Sequence, residues 1–128
     1  MELIIGGAYQ GKLEYAKKAY RITEQDIFTC NQEESAATLD FSKKVIDGLE
    51  EFTLACVKQG IEAREYLEAN RQLLADKIII CMDISQGVVP MDRDLRAWRE
   101  MNGRALIYLS GEAEHVIRIF CGLPHKIK

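Results

Sequence analysis

The fold is decided near the amino terminus by the stretch Leu3-Ile4-Ile5-Gly6-Gly7-Ala8-Tyr9-Gln10-Gly11-Lys12-Leu13. Its first three residues form a short apolar run, and from Gly11 onward apolar residues recur at helical spacing. The stretch therefore predicts a strand, a glycine-rich loop and a helix in succession. The loop matches the pattern G-x-x-x-x-G-K of a phosphate-binding P-loop, in the strand-loop-helix context that this pattern requires.

The glycine-rich loop predicts a site for the phosphates of ATP or GTP. Glycines let successive backbone N–H groups turn inward around an anion, and the start of the following helix adds partial positive charge. Lys12 would neutralise the β and γ phosphates. The predicted nucleotide-binding residues are Gly6, Gly7, Ala8, Tyr9, Gln10, Gly11, Lys12 and Leu13. The alternative interpretation is a glycine turn that only links strand to helix.

One position departs from the P-loop pattern. Leu13 stands where a P-loop normally has Ser or Thr, whose hydroxyl binds the Mg²⁺ that bridges two phosphates. Leucine has no oxygen to offer, which argues against Mg²⁺-assisted phosphoryl transfer but leaves nucleotide binding open. Glu14 and Tyr15 follow on different faces of the helix, and neither is a convincing replacement.

The rest of the chain alternates short apolar runs with segments of helical spacing. Strands are predicted over residues 3–5, 27–30, 45–46, 77–82 and 115–121, and helices over 13–20, 49–74 and 95–109. Gly60 and Gly103 are expected to break or bend the last two helices. About five strands alternating with helices predict a three-layer α/β fold of the P-loop NTPase type, with a mostly parallel sheet. Residues 1–128 have the length of one such domain.

Polar residues that could carry chemistry follow the predicted strands. Asp47 and Asp83 come directly after two of them, and parallel sheets bind ligands at the carboxyl ends of their strands. We therefore predict that both aspartates join Lys12 in a catalytic cluster, with Asp47 also a metal ligand. A strand-terminal Asp also commonly caps the next helix, so a structural role for Asp47 stays open. Arg96 and Arg99 are predicted as phosphate or substrate contacts.

Composition excludes several classes of function. A formal charge of -3 with scattered Lys and Arg residues provides no basic surface for nucleic acid. The four cysteines contain no C-x-x-C pair and three lie in apolar runs, so reduced core thiols in a cytoplasmic protein are expected. No signal peptide or membrane-spanning segment is predicted. His115 and His125 are separate and show no arrangement typical of a nucleophile or a metal site, so His115 is predicted to be structural, and Trp98 to be a packing residue.

Four blocks of sequence carry a family resemblance. They are Gly6-Gly7-Ala8 through Gly11-Lys12; Gly87-Val88-Val89-Pro90; Arg96 with Arg99 and Gly103-Arg104; and Gly122-Leu123-Pro124-His125-Lys126-Ile127-Lys128. Together they resemble the adenosylcobinamide kinase and adenosylcobinamide-phosphate guanylyltransferase family of cobalamin biosynthesis. The resemblance implies a P-loop protein, often a homo-oligomer, that phosphorylates adenosylcobinamide and then attaches a guanylyl group through a histidine. By position, Lys12 would bind phosphates, and Asp47 and Asp83 would match family acids.

The chain also departs from the family pattern. Leu13 replaces the metal-binding hydroxyl, Ser85 replaces a motif glycine, and Leu106 stands where the family has Asn. The segment H-x-x-x-R-x-x-x-W that carries the guanylylated histidine is absent, because no histidine precedes His115. We therefore expect a cobinamide-kinase-like, nucleotide-binding protein without the guanylyltransferase half. The alternatives are an inactive P-loop paralogue that senses nucleotide or binds a partner, and a structural subunit whose loop binds nothing.

Overall fold

The computed structural model describes residues 1–31, 37–84 and 92–128. Ser85, the Gly87–Pro90 block and residues 32–36 lie outside the described residues. The strands are β1 (Glu2–Gly6), β2 (Ile27–Thr29), β3 (Val45–Asp47), β4 (Ile78–Met82), β5 (His115–Phe120) and β6 (Leu123–Lys126). The helices are α1 (Lys12–Tyr20), α2 (Leu49–Gln59), α3 (Ala63–Ala69), α4 (Arg71–Leu74) and α5 (Arg93–Glu112), with a 3₁₀ turn at Glu24–Asp26.

The six strands form one sheet in the order β2-β3-β4-β1-β5-β6. All neighbouring pairs are parallel except β5 and β6. The chain leaves β1 through α1 towards β2, at one edge of the sheet. It leaves β4 through α5 towards β5, which lies nearer the opposite edge. The strand order therefore reverses between β1 and β4, and open α/β sheets bind ligands in the crevice at the carboxyl ends of such strands.

Helices cover both faces of the sheet. Ala16 of α1 packs on one face against a buried cluster made of Ile4, Val45, Ile78, Ile80, Ile117 and Ile119. On the other face α2, α3 and α5 bury Phe52, Leu67, Ala105 and Leu109 against Leu3, Ile46, Ile79 and Cys81. The predicted α/β class and mostly parallel sheet are confirmed, and the apolar run of β4 is buried between the two layers.

The end of the chain differs from the prediction. The strand expected to reach Cys121 ends at Phe120, because Cys121 and Gly122 adopt left-handed φ angles of 52° and 75° and turn the chain back as a two-residue hairpin. The returning strand β6 is a sixth strand, antiparallel to β5, where about five strands were expected. Its residues are all exposed, so it lacks the alternation that marks a half-buried strand.

The predicted helix breaks have different outcomes. Gly60 ends α2 with a left-handed φ of 70°, as expected of a glycine at this position. Gly103 does not interrupt α5, which runs continuously over 20 residues. Among the described residues no helix combines the length and apolar character that crossing a membrane requires. Cys30, Cys56 and Cys81 are buried free thiols, as predicted, and Cys121 is exposed.

Candidate functional site

The glycine-rich loop joins β1 to α1 at the carboxyl edge of the sheet. A Cβ added at Gly6 would lie 2.6 Å from the backbone oxygen of Ile119 on the adjacent strand, so only glycine fits there. Gly11 has a left-handed φ of 90°, and its Cα faces the backbone of Gly122. Tyr9 is also left-handed, with a φ of 59°. The backbone shape of this loop therefore explains both of its pattern glycines.

The loop is fastened to the β5–β6 turn. The Gln10 side-chain oxygen accepts a hydrogen bond from the Cys121 N–H at 2.6 Å. The Gln10 backbone oxygen accepts a second one from the Gly122 N–H at 2.9 Å. These two hydrogen bonds join the loop to the β5–β6 hairpin. The hairpin, which the sequence did not predict, therefore helps to fix the position of the loop.

Lys12 folds back over the loop. Its Nζ donates a hydrogen bond to the Gly7 backbone oxygen at 2.6 Å, across five residues of sequence. Lys12 also lines an open cleft of about 420 Å³, which is large enough for a small ligand. The cleft residues are Ala8, Tyr9, Gln10, Gly11, Lys12, Leu13, Glu14, Asp47, Glu50, Glu51 and Met82. Six of the eight predicted nucleotide-binding residues thus line one cleft, and Gly6 and Gly7 line the neighbouring cavity.

The structure brings Asp47 and Lys12 together. Asp47 ends β3 and lines the cleft with Lys12, although β4 lies between β3 and the loop strand β1. Burial raises the pKa of the Asp47 carboxyl, repulsion from Glu50 adds to this, and the attraction of Lys12 opposes it. Asp47 is therefore a partly buried carboxylate within the electrostatic reach of the loop lysine.

Asp83 lies apart from this pair. Its backbone N–H donates a hydrogen bond to the Gly6 backbone oxygen at 2.9 Å. Asp83 lines a second cavity, of about 180 Å³, together with Gly7, Arg118 and Phe120. The predicted cluster of one lysine and two aspartates is therefore divided between two cavities. Asp83 directly follows β4, and the loop directly follows the neighbouring strand β1. The loop therefore lies between the two cavities.

The two predicted arginine contacts are not among the described residues that line the cleft. Arg96 and Arg99 belong to the first turns of α5, where Asp92 caps the helix by accepting the Leu95 N–H at 3.0 Å. In the described part of the chain neither arginine lines the cleft or the cavity of Asp83. Arg96 is exposed and Arg99 is half-buried, and their roles as phosphate or substrate contacts stay predictions.

Sequence reasoning missed the carboxylates that share the cleft with Asp47. Glu14 lies in the first turn of α1, and Glu50 and Glu51 lie in the first turn of α2. Glu14, which the sequence suggested was turned away, lines the cleft. The available signal was the succession of a strand-ending acid, a glycine and two glutamates at residues 47–51, which places acids at the start of a helix that begins beside the loop.

Glu50 is held through both its side chain and its main chain. Its Oε1 accepts the backbone N–H of Met82 at 2.8 Å, so the side chain joins α2 to the end of β4. Its backbone oxygen accepts the indole N–H of Trp98 at 2.8 Å. Trp98 was predicted to serve packing alone, but it also fixes the first turn of α2. Asn102 completes the connection by donating from Nδ2 to the Met82 oxygen at 3.1 Å.

Leu13 is partly buried and packs against the apolar cluster under α1. It supplies no oxygen, so Mg²⁺ would have to be held here by carboxylates. Asp47 and Glu50 are oxygen donors of the kind that Mg²⁺ prefers, and both line the cleft. The donor set therefore fits Mg²⁺ bound together with phosphates, although not through the residue that a P-loop normally uses.

The structure places carboxylates beside His115, whose structural role stays a prediction. His115 Nδ1 lies 2.8 Å from Oε1 of Glu2, and Glu114 lies close enough to complete a group of three possible metal ligands. Parallel pairing of β1 with β5 causes this, because it places Glu2 beside His115 across 113 residues of sequence. Both residues begin their strands, so the pair lies at the amino edge of the sheet, opposite the loop.

The site's geometry shows a glycine loop with a lysine and a group of carboxylates at the reversal of strand order. No protein-family model and no curated protein sequence matches this chain.

Proposed function

We propose that this protein binds a nucleoside triphosphate, ATP or GTP, with its triphosphate against the loop between β1 and α1. The observation that carries the proposal is the meeting of Lys12 and Asp47 in one cleft of about 420 Å³ at the carboxyl edge of the sheet. Backbone N–H groups of the loop, the start of α1 and the Lys12 ammonium all favour an anion at this position.

The proposed chemistry is phosphoryl transfer of the cobinamide-kinase type, with adenosylcobinamide as the acceptor that the family resemblance implies. Such transfer depends on positioning and on neutralising charge rather than on covalent catalysis. Lys12 would neutralise phosphate charge, and Asp47 would help to hold the metal ion that accompanies the phosphates. Mg²⁺, when bound, would supply further neutralisation across the phosphates. The homo-oligomer implied by the same resemblance is part of this proposal.

The guanylyltransferase half is not part of the proposed function. No histidine precedes His115 in the chain, and His115 lies with Glu2 at the amino edge of the sheet. A phosphoryl group held at the loop is at the other end of the parallel strands, so His115 does not substitute for the missing nucleophile. This supports a kinase-like function rather than a two-step transferase.

A second candidate is an inactive paralogue that senses nucleotide or binds a partner. The observation that favours it is Leu13, which packs against the apolar cluster under α1 where a catalytic loop has a hydroxyl. The two candidates differ in the response to Leu13→Ser. A gain of Mg²⁺-dependent ATP or GTP turnover supports the kinase, and unchanged turnover with retained nucleotide binding supports the sensing module.

The test of nucleotide binding is a thermal shift with ATP and with GTP, each with and without Mg²⁺. At a ligand concentration one hundred times Kd the expected stabilisation is about 2.7 kcal/mol, which raises Tm by several degrees in a domain of this size. Lys12→Ala should abolish the shift. Lys18→Ala is the matched control, since it removes the same charge from an exposed position of the same helix and should leave the shift unchanged.

Three outcomes are informative. A shift that disappears only in Lys12→Ala supports binding at the loop. A shift that survives Lys12→Ala places the nucleotide elsewhere and contradicts the proposal. Absence of any shift with wild-type protein supports the structural-subunit interpretation instead.

A further inference from the structure

The cleft has an imbalance of charge that a nucleotide would make worse. Of the residues that the structure describes, one cation, Lys12, and four carboxylates line it: Glu14, Asp47, Glu50 and Glu51. A triphosphate would add several negative charges, and like charges at such short range repel strongly in a partly desolvated cleft. A nucleotide bound there therefore needs a cation that it does not obtain from the cleft side chains.

The missing cation cannot be held in the usual way. A P-loop offers Mg²⁺ a hydroxyl from the residue after its lysine, and this chain has Leu13 there, partly buried against the α1 cluster. A protein oxygen has to come from another element. Mg²⁺ is commonly bound by one or two carboxylates together with substrate phosphates and water, so one additional carboxylate is sufficient.

Glu50 is the carboxylate best prepared for this role. Its Oε1 accepts a hydrogen bond from the Met82 N–H at 2.8 Å, which fixes the side chain between α2 and the end of β4. Its main chain is held by Trp98, whose indole N–H donates to the Glu50 oxygen at 2.8 Å. Glu14 lines the same cleft but is exposed on α1. A ligand whose rotamer is locked by packing and hydrogen bonds loses less entropy when it binds metal.

Asp47 provides independent support for a cation near Glu50. The two residues are separated by three positions, at the end of β3 and the first turn of α2, and both line the cleft. Two carboxylates that repel each other beside a phosphate loop are an arrangement that a divalent cation relieves.

We infer that Glu50, beside Asp47, supplies a protein oxygen for the Mg²⁺ of a bound nucleoside triphosphate, replacing the hydroxyl that Leu13 lacks. This inference rests on the proposed function, since the metal is held jointly with the nucleotide phosphates. Trp98 and Asn102 act through Glu50 and Met82 as positioning residues. The Mg²⁺ dependence of nucleotide affinity is therefore assigned to a residue of α2 rather than to the loop.

The experiment is calorimetric titration of ATP and GTP into wild type, Glu50→Gln and Glu14→Gln, each with Mg²⁺ and with EDTA. Wild type should bind more tightly with Mg²⁺. Glu50→Gln should lose about tenfold or more of that Mg²⁺ enhancement, as expected when a metal-supporting group is removed. Its affinity in EDTA should be equal to or higher than that of wild type, because one repelling charge is gone. Glu14→Gln should keep the Mg²⁺ enhancement.

Mn²⁺ provides a direct readout of the metal. The electron paramagnetic resonance spectrum of Mn²⁺–ATP or Mn²⁺–GTP should change on adding wild type or Glu14→Gln, and change less with Glu50→Gln. The Tm of each unliganded variant shows that the fold is kept, and Glu50→Asp tests the position of the carboxylate at constant charge.

The outcomes separate the two proposals. Wild type that binds no nucleotide overturns the proposed function and with it this inference. Nucleotide binding in which Glu50→Gln keeps the full Mg²⁺ enhancement overturns only the inference. An equal loss in Glu50→Gln and Glu14→Gln also overturns it, because the effect would then be the general charge of the cleft.

Discussion

The two edges of the sheet solve the problem of charge in different ways. At the amino edge Glu2 contacts both His115 and Tyr20, and the Met1 ammonium donates to the Ala75 oxygen at 2.7 Å. At the carboxyl edge four carboxylates share a cleft with Lys12, and the loop beside them contains left-handed Tyr9. Glu2 has hydrogen-bonding partners within the protein at the first edge, whereas at the second edge four carboxylates share a cleft with one lysine, and a bound cation would reduce their repulsion.

The largest expected effect concerns the carboxyl edge. Gly6→Ala places a Cβ 2.6 Å from the Ile119 oxygen, and the strands have to move apart to accept it. We expect the free energy of unfolding to fall by up to about 3 kcal/mol, as in other overpacked interiors. The nucleotide-dependent thermal shift should also be lost. Urea unfolding of the unliganded variant measures the first effect.

Gly103→Ala is the matched control for this change. It adds the same methyl group in the middle of α5, where no atom lies within 4 Å of the added carbon. Removing a flexible glycine from a helix should raise the free energy of unfolding by about 0.5–1 kcal/mol. If both substitutions changed the free energy of unfolding equally, the close contact at Gly6 would not be the reason why this position requires glycine.

The second effect concerns the polar connection behind the cleft. Asn102 is almost completely buried, and its Oδ1 accepts the Thr53 hydroxyl at 2.9 Å. Asn102→Leu removes the Nδ2 donor to the Met82 oxygen and one partner of the Thr53 hydroxyl, which keeps the Glu50 oxygen and the Trp98 indole N–H. An unsatisfied buried polar group costs about 1–3 kcal/mol. Urea unfolding should show a lower midpoint with an unchanged slope.

Thr53→Val sharpens this prediction. It removes the hydroxyl but leaves the hydrogen bond from Asn102 to the Met82 oxygen in place. The loss of stability should be smaller than for Asn102→Leu. A larger loss in Thr53→Val would mean that the hydroxyl, rather than the amide, carries the connection.

The smallest effect tests the amino edge by pH. Burial, and then the charge of Glu2, raise the pKa of Tyr20 from 10.0 to about 12 in the folded protein. The stability that this shift contributes is fully present below pH 10 and is lost as the pH rises through the folded value of about 12. Tyr20→Phe should therefore flatten the fall of Tm over this range. Tyr9→Phe, at an exposed tyrosine, should keep the wild-type profile.

The parts of the molecule that could be predicted are those specified by neighbours in sequence. The succession of β1, loop and α1 follows from a short apolar run, two glycines and a helical period within residues 3–20. β4 is equally visible, because Ile78 to Cys81 must be apolar to lie between two layers of helices. The P-loop type of fold and the nucleotide remain predictions.

The parts that could not be predicted depend on contacts distant in sequence. Glu50 acquires its place through the Met82 N–H, 32 residues away, and nothing near Glu50 indicates this bond. The pairing of Glu2 with His115 exists only after β1 and β5 have been placed side by side. Asp83 lines a different cavity from Lys12 and Asp47, and the sequence shows only that it follows a strand.

The β5–β6 hairpin also determines how the molecule meets its neighbours in solution. The Ile127 N–H points inward to the Val116 oxygen, so by alternation position 124 turns its nitrogen outward, and Pro124 has no hydrogen there to donate. The opposite edge, β2, is only three residues long. Neither edge is a good template for another strand, which protects the protein from edge-to-edge aggregation. Any oligomer should therefore assemble through side-chain surfaces rather than through a continuous sheet.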